Sequence, residues 1–135
     1  MSFEVRPIGH VASSLRTREE APRQPDEGAP EARLVVDEEF LPALDGIRPG
    51  DRILVLTWLH RADRSTLTTH PRSDVDRAVA GVFATRSPDR PNPVGLHPVT
   101  VLAVEGGVLT VDRLEAIDGT PLLDIKPVIG EVEQR

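Results

Sequence analysis

A mostly β fold is what this sequence predicts: a small antiparallel barrel with short helices and long loops. Three observations carry that expectation. The apolar residues come in short runs, each closed by proline, glycine or a polar cluster, and such runs read as strands. No segment keeps a helical period for more than about two or three turns. Gly106-Gly107 stands between two apolar runs, and glycine tolerates the positive φ that a two-residue hairpin demands. Strands do not alternate with long helices, so a doubly wound nucleotide-binding sheet is not expected. About six to eight short strands curled into a barrel-like sheet, in one domain over residues 1–135, accommodate the pattern.

Each element follows from local chemistry. Residues 5–11 read as a first strand, interrupted by Pro7 and ended near Ser13-Ser14. Residues 15–30 are polar and hold Pro22, Pro25, Gly28 and Pro30; a loop of that length in a compact domain either serves function or is disordered. Residues 32–36 form a second strand. Residues 37–44 are expected as a short helix, with Asp37 as N-cap and Glu38 and Glu39 in the first turn. Residues 52–60, the most apolar segment, read as a buried strand that delivers His60, Arg61, Asp63 and Arg64 at its end, a common place for a site. Residues 67–70 form a short strand, and residues 81–84 another. Residues 96–105 and 108–114 are the arms of the Gly106-Gly107 hairpin. A polar turn at 115–121 leads into a last strand at 122–128.

Composition bounds the function. The chain has 135 residues, 39% hydrophobic and 28% charged, with no run long enough to span a membrane. Its start, MSFEVRPIGH, lacks the basic n-region and apolar core of a signal peptide, so a cytoplasmic location is expected. The absence of cysteine excludes disulfides, thiolate metal sites and cysteine nucleophiles. His10, His60, His70 and His97 lack metal-ligand spacing, and no metal is expected. The net charge of −6 argues against broad, non-specific nucleic-acid binding, which depends on neutralising phosphates. Of the 16 cations only Lys126 is a lysine, and arginine suits bidentate grip of carboxylate or phosphate.

The most informative stretch is 81–96, GVFATRSPDRPNPVGL. It opens apolar and turns polar at Thr85. Pro88, Pro91 and Pro93 each fix their own φ and push the preceding residue towards extended geometry. The loop is therefore stiff, and it carries the guanidinium groups of Arg86 and Arg90. A preorganised loop loses little entropy when it binds something. Read from residues alone, it suits a small ligand bearing carboxylate or phosphate. No phosphate-binding glycine loop, metal-binding helix or serine elbow is present.

That stretch closely resembles the signature of the TrmO family, also called TsaA-like or YaeB-like, of S-adenosylmethionine-dependent tRNA methyltransferases. Further motifs extend the resemblance over nearly the whole chain. Ala21-Pro22-Arg23-Gln24-Pro25 resembles the family's N-terminal element, and Ile8-Gly9 with Ser13 its opening strand. Trp58-Leu59-His60 resembles its central strand, and the run from Asp118 to Pro127, DGTPLLDIKP, its C-terminal element. The resemblance implies a small non-Rossmann β-barrel that binds S-adenosylmethionine, works as a homodimer with the cofactor near the subunit interface, and methylates N6 of threonylcarbamoyladenosine at tRNA position 37. Threonine isoacceptors are the implied substrates.

Carried over by motif, the cofactor contacts are Gln24, Pro25 and Asp26, then His60 and Arg61, Arg86 and Leu96, and the turn Asp118, Gly119, Thr120, Pro121 and Leu122. Arg86 is the candidate for the methionyl carboxylate. Arg90 and Asn92 are candidates for the tRNA substrate. His60 and Asp118 are the candidate catalytic residues, with Asp63 or the substrate's own threonyl carboxylate as alternative proton acceptors. The chain departs from the family in two ways. It stops soon after Lys126-Pro127, where many members carry an accessory C-terminal domain, and it has Asp89 where the family's loop often has phenylalanine. A small-molecule acceptor, or a non-catalytic S-adenosylmethionine-binding module, is the alternative.

Overall fold

The computed structural model describes residues 1–22, 28–71 and 74–130. Six strands close into an antiparallel barrel in the order β1-β2-β7-β6-β3-β8. They are β1 (Gly9–Ala12), β2 (Ala32–Val36), β3 (Arg52–Trp58), β6 (Val94–Glu105), β7 (Val108–Val111) and β8 (Pro121–Pro127). The short strands β4 (Thr68–Thr69) and β5 (Ala80–Gly81) pair only with each other, outside the barrel. Closure leaves the barrel strands with no open edge along most of their length.

The core is built from one face of each strand. Val11, Leu34, Ile53, Val55, Val99, Val101, Leu109, Val111 and Leu122 are all buried there, and Leu114 joins them from the segment after β7. Along β6 the alternation is regular: Gly95, His97, Val99 and Val101 point in, while Val94, Leu96 and Pro98 point out, as the two-residue period of a strand requires. Pro98 is tolerated because this half of β6 pairs only with β3, and β7 joins β6 from Val101 onward. Gly106 takes φ +59° in the β6–β7 turn.

Several boundaries differ from the sequence expectation. The first strand starts at Gly9, not near residue 5, because pairing with β2 and β8 begins only there, beyond Pro7. The helix expected at 37–44 is a 3-10 segment, Glu38–Leu44, with Pro42 inside it and no side-chain cap from Asp37; proline cannot donate the bond an α-helix needs at that point. The strand expected at 81–84 is instead the end of β5 followed by a 3-10 turn, Val82–Ala84. The Val82 carbonyl is taken by the Thr85 amide, the Thr85 hydroxyl and Arg90, so it has nothing left to offer a neighbouring strand. No helix among the described residues is long and apolar enough to cross a membrane.

Candidate functional site

One end of the barrel carries a cleft of about 730 Å³, within the range typical of small-molecule sites. Its walls follow from the strand register. Trp58 at the end of β3 lies opposite Val94 at the start of β6, so Leu59, His60 and Arg61 leave the barrel beside Val94, Leu96 and His97. The stiff loop from Ala84 to Arg90 forms the second wall, and Arg18 to Pro22 with Thr69 to Pro71 form the third. Glu115, Ala116, Ile117 and Thr120 line the side nearest the barrel interior.

The stiff loop is held by its own arginine. Arg90 Nη1 donates to the carbonyls of Thr85 at 3.0 Å and Ser87 at 2.9 Å, and Nη2 donates to Val82 O at 2.6 Å. Arg90, expected at a substrate contact, lines the cleft with three of its five N–H donors spent on these backbone carbonyls. Asn92, expected beside it, lies outside the cleft wall, and its Oδ1 accepts from Arg64 Nη2 at 3.1 Å. The same Arg64 donates through Nε to Pro91 O at 2.8 Å and stacks over Trp58 at 4.9 Å. Arg86 differs from both. It is exposed, lines the cleft, and has no hydrogen bond or ion pair with the described residues. Its guanidinium is uncommitted among the described residues.

His60 and Arg61 are both exposed on the cleft. Partial burial, then the adjacent Arg61 guanidinium, push the His60 ring below its ordinary 6.5, since both penalise the charged form. Asp63 is turned to local work. Its Oδ1 accepts from the Ser65 hydroxyl at 2.6 Å and the Ser65 amide at 2.8 Å, and these bonds hold its carboxyl below the usual range.

The turn at 118–122 stands partly inside and partly behind the site. Thr120 lines the cleft, buried, with its hydroxyl donating to Ile117 O at 2.7 Å. Asp118 does not line it. Its Oδ1 accepts the Ser13 amide at 3.0 Å and its Oδ2 lies 3.8 Å from Arg16 Nη1. Its amide donates to Leu15 O at 2.7 Å, and the Gly119 amide donates to Val11 O at 2.7 Å. Asp118, expected among the catalytic residues, is thus placed where its carboxylate and amide anchor residues 13–16. Pro121 begins β8, and the Leu122 side chain is fully buried in the barrel; neither they nor Gly119 are among the residues that line the cleft. Gln24, Pro25 and Asp26 lie outside the described residues.

Sequence reasoning missed the polar chain at the cleft's inner side. Thr57 Oγ1 lies 2.8 Å from His97 Nε2, and His97 Nδ1 lies 2.6 Å from Glu115 Oε1. Thr57 and His97 are buried, and Glu115 is largely so. The only signal was an inward-facing histidine in an otherwise apolar strand. Its carboxylate partner lies 18 residues away, and no local motif links the two.

With this geometry in view, the comparisons with known proteins are decisive about kinship. Residues 10–134 match the family described as the tRNA-methyltransferase O N-terminal domain. The chain belongs to the TrmO family. It is 42% identical over 133 residues to a probable S-adenosyl-L-methionine-binding protein of Methanothermobacter thermautotrophicus, covering 98% of this chain and 95% of the relative. It is 38% identical over 129 residues to an S-adenosyl-L-methionine-binding protein of Archaeoglobus fulgidus, covering 96% and 91%. The crystal structure of TrmO from Pseudomonas aeruginosa superposes with a TM-score of 0.76 at 33% identity, over 96% of this chain but only 57% of that one. The TrmO fold therefore holds over essentially the whole chain, which spans little more than half of the solved TrmO. No group of three or more His, Cys, Asp or Glu able to hold a metal ion occurs among the described residues.

Proposed function

We propose that this TrmO-family chain binds S-adenosylmethionine in the barrel-end cleft and transfers its methyl group to N6 of threonylcarbamoyladenosine at position 37 of tRNA. One observation carries the cofactor half. Three segments distant in sequence converge on one cleft of about 730 Å³, and among the described residues its wall presents an uncommitted guanidinium, Arg86. The cofactor's chemistry fits that donor set: Arg86 grips the methionyl carboxylate through a charge-assisted pair, and the apolar edges of Leu59 and Leu96 flank the rest of the molecule. When bound, the cofactor supplies an electrophilic methyl group on sulfonium.

The chain's own contribution is largely positioning, because an in-line displacement depends on the approach angle. Arg90 holds the stiff wall in shape. His60, unprotonated near neutrality, is the proton acceptor for N6, since Asp63 and Asp118 are engaged elsewhere. The exposed Phe83, Val94 and Leu96 beside the cleft support a homodimer in which a second copy covers this face.

Mass analysis of threonine-isoacceptor tRNA from a deletion strain tests the acceptor. Loss of the methylated threonylcarbamoyladenosine is expected, and an unchanged level overturns that half. The net charge of −6 favours a second reading, in which the same cleft methylates a small molecule. A third, a binding module without turnover, is consistent with how the archaeal relatives are named; methyl transfer to any acceptor would remove it.

A further inference from the structure

Glu115 Oε2 is the one buried side-chain nitrogen or oxygen without a hydrogen-bond partner among the described residues. Buried polar atoms are satisfied almost without exception, and an exception calls for a reason. Here the reason is local. Glu115 belongs to the cleft wall, and its other oxygen is already occupied by His97 Nδ1 at 2.6 Å. A carboxylate only accepts, so Nδ1 carries the proton; in the neutral ring Nε2 is then left to accept from the Thr57 hydroxyl at 2.8 Å. Both donors on the interior side of Glu115 are thereby spent, and the His97 ring is pinned.

The pinning is tight. A Cβ on Gly95 would meet His97 Nε2 at 2.6 Å and would collide with the Thr57 hydroxyl. The glycine thus clears the space in which Thr57 and His97 meet, and the chain of bonds fixes the Glu115 carboxylate in the cleft wall with one oxygen buried and unmatched. The same cleft is lined by Arg86, whose guanidinium has no partner among the described residues.

We infer that Glu115 is a ligand-binding residue whose Oε2 accepts a hydrogen bond from an N–H or O–H donor of the molecule in the cleft, held in place by His97 and Thr57. This rests on the proposal that the molecule is S-adenosylmethionine, which offers such donors at its α-ammonium and on its nucleoside.

The test is calorimetric titration of the full chain with S-adenosylmethionine and with methylthioadenosine, which lacks the amino-acid end. Glu115→Gln keeps an oxygen for His97 Nδ1–H and turns the free end from acceptor to donor. It is expected to weaken S-adenosylmethionine binding roughly ten-fold or more, the loss typical of a charge-assisted bond. If methylthioadenosine binding falls equally, the donor lies on the nucleoside. If it is unchanged, the donor is the ammonium. A folded Glu115→Gln protein that binds both ligands like the wild type overturns the inference, while the wild type's own binding keeps the cofactor reading intact. A wild type that binds neither overturns both. Should Glu115→Gln fail to fold, Glu115→Asp, which withdraws the carboxylate by one methylene, is expected to show the same loss, and wild-type affinity there overturns the inference.

Discussion

Arg18 and Asp89, 71 residues apart, meet where three walls of the cleft join: Arg18 Nη2 donates to both Asp89 oxygens at 3.0 and 3.1 Å. Arg18 Nη1 also donates to Arg61 O at 3.1 Å, and Asp89 Oδ1 accepts the Asp63 amide at 2.8 Å. The Arg18–Asp89 ion pair ties the first long loop to the β3 end and the stiff loop.

Replacing Asp89 with asparagine is expected to loosen that junction. The pair is partly exposed, at 42% for Arg18 and 29% for Asp89, so the cost to stability is about 1 kcal/mol or less. Because the interaction is electrostatic and screened, the difference between wild type and variant should shrink at high salt. Thermal unfolding at low and high ionic strength checks this, and a salt-independent difference would contradict it.

Arg86→Ala should leave the melting temperature unchanged, since the side chain is exposed and makes no hydrogen bond with the described residues. Its affinity for S-adenosylmethionine should fall by about 1.5–3 kcal/mol. Calorimetry on the variant reads the loss; undiminished affinity would put the carboxylate elsewhere.

Arg90→Lys should show the opposite pattern. Lysine keeps the charge but not the planar fork that spans the carbonyls of Val82, Thr85 and Ser87. A stability loss of about 2 kcal/mol is expected, with faster amide exchange across residues 82–90. Urea denaturation and hydrogen exchange measure both.

Gly95→Ala places a methyl against Thr57 and His97. Overpacking of a filled interior costs about 1–3 kcal/mol, and displacement of His97 should disturb Glu115 as well. Denaturant midpoints and ligand affinity should fall together, and a fall in one alone would separate packing from binding.

The His60 ring predicts a pH dependence. Its folded value lies below 6.5, so the unfolded chain binds more protons in the window just beneath 6.5. Stability is full above that window and declines as pH falls through it. His60→Gln should flatten that decline, modestly because the ring is mostly exposed. If His60 accepts the N6 proton, the acidic limb of the wild-type rate profile should also be absent from the residual activity of the variant.

The barrel class was legible in the chain because strands announce themselves locally. Apolar alternation, proline stops and the Gly106-Gly107 turn need no distant partner to be recognised, and four barrel strands, β2, β3, β7 and β8, begin within a residue of where those cues put them. Of the residues that motif resemblance pointed to, His60, Arg61, Arg86, Leu96 and Thr120 line the cleft, while Asp118, Gly119, Pro121 and Leu122 do not. Only the fold decided which side chains are free to act there. Arg90 and Arg86 look alike in sequence, yet one is consumed by three carbonyls and the other is not. Asp118 and Glu115 are carboxylates three positions apart, yet one anchors a neighbouring loop and the other belongs to the cleft wall with one oxygen buried and unpartnered. Whether a polar group is spent or available depends on partners brought from tens of residues away, and one-dimensional order carries no record of that pairing.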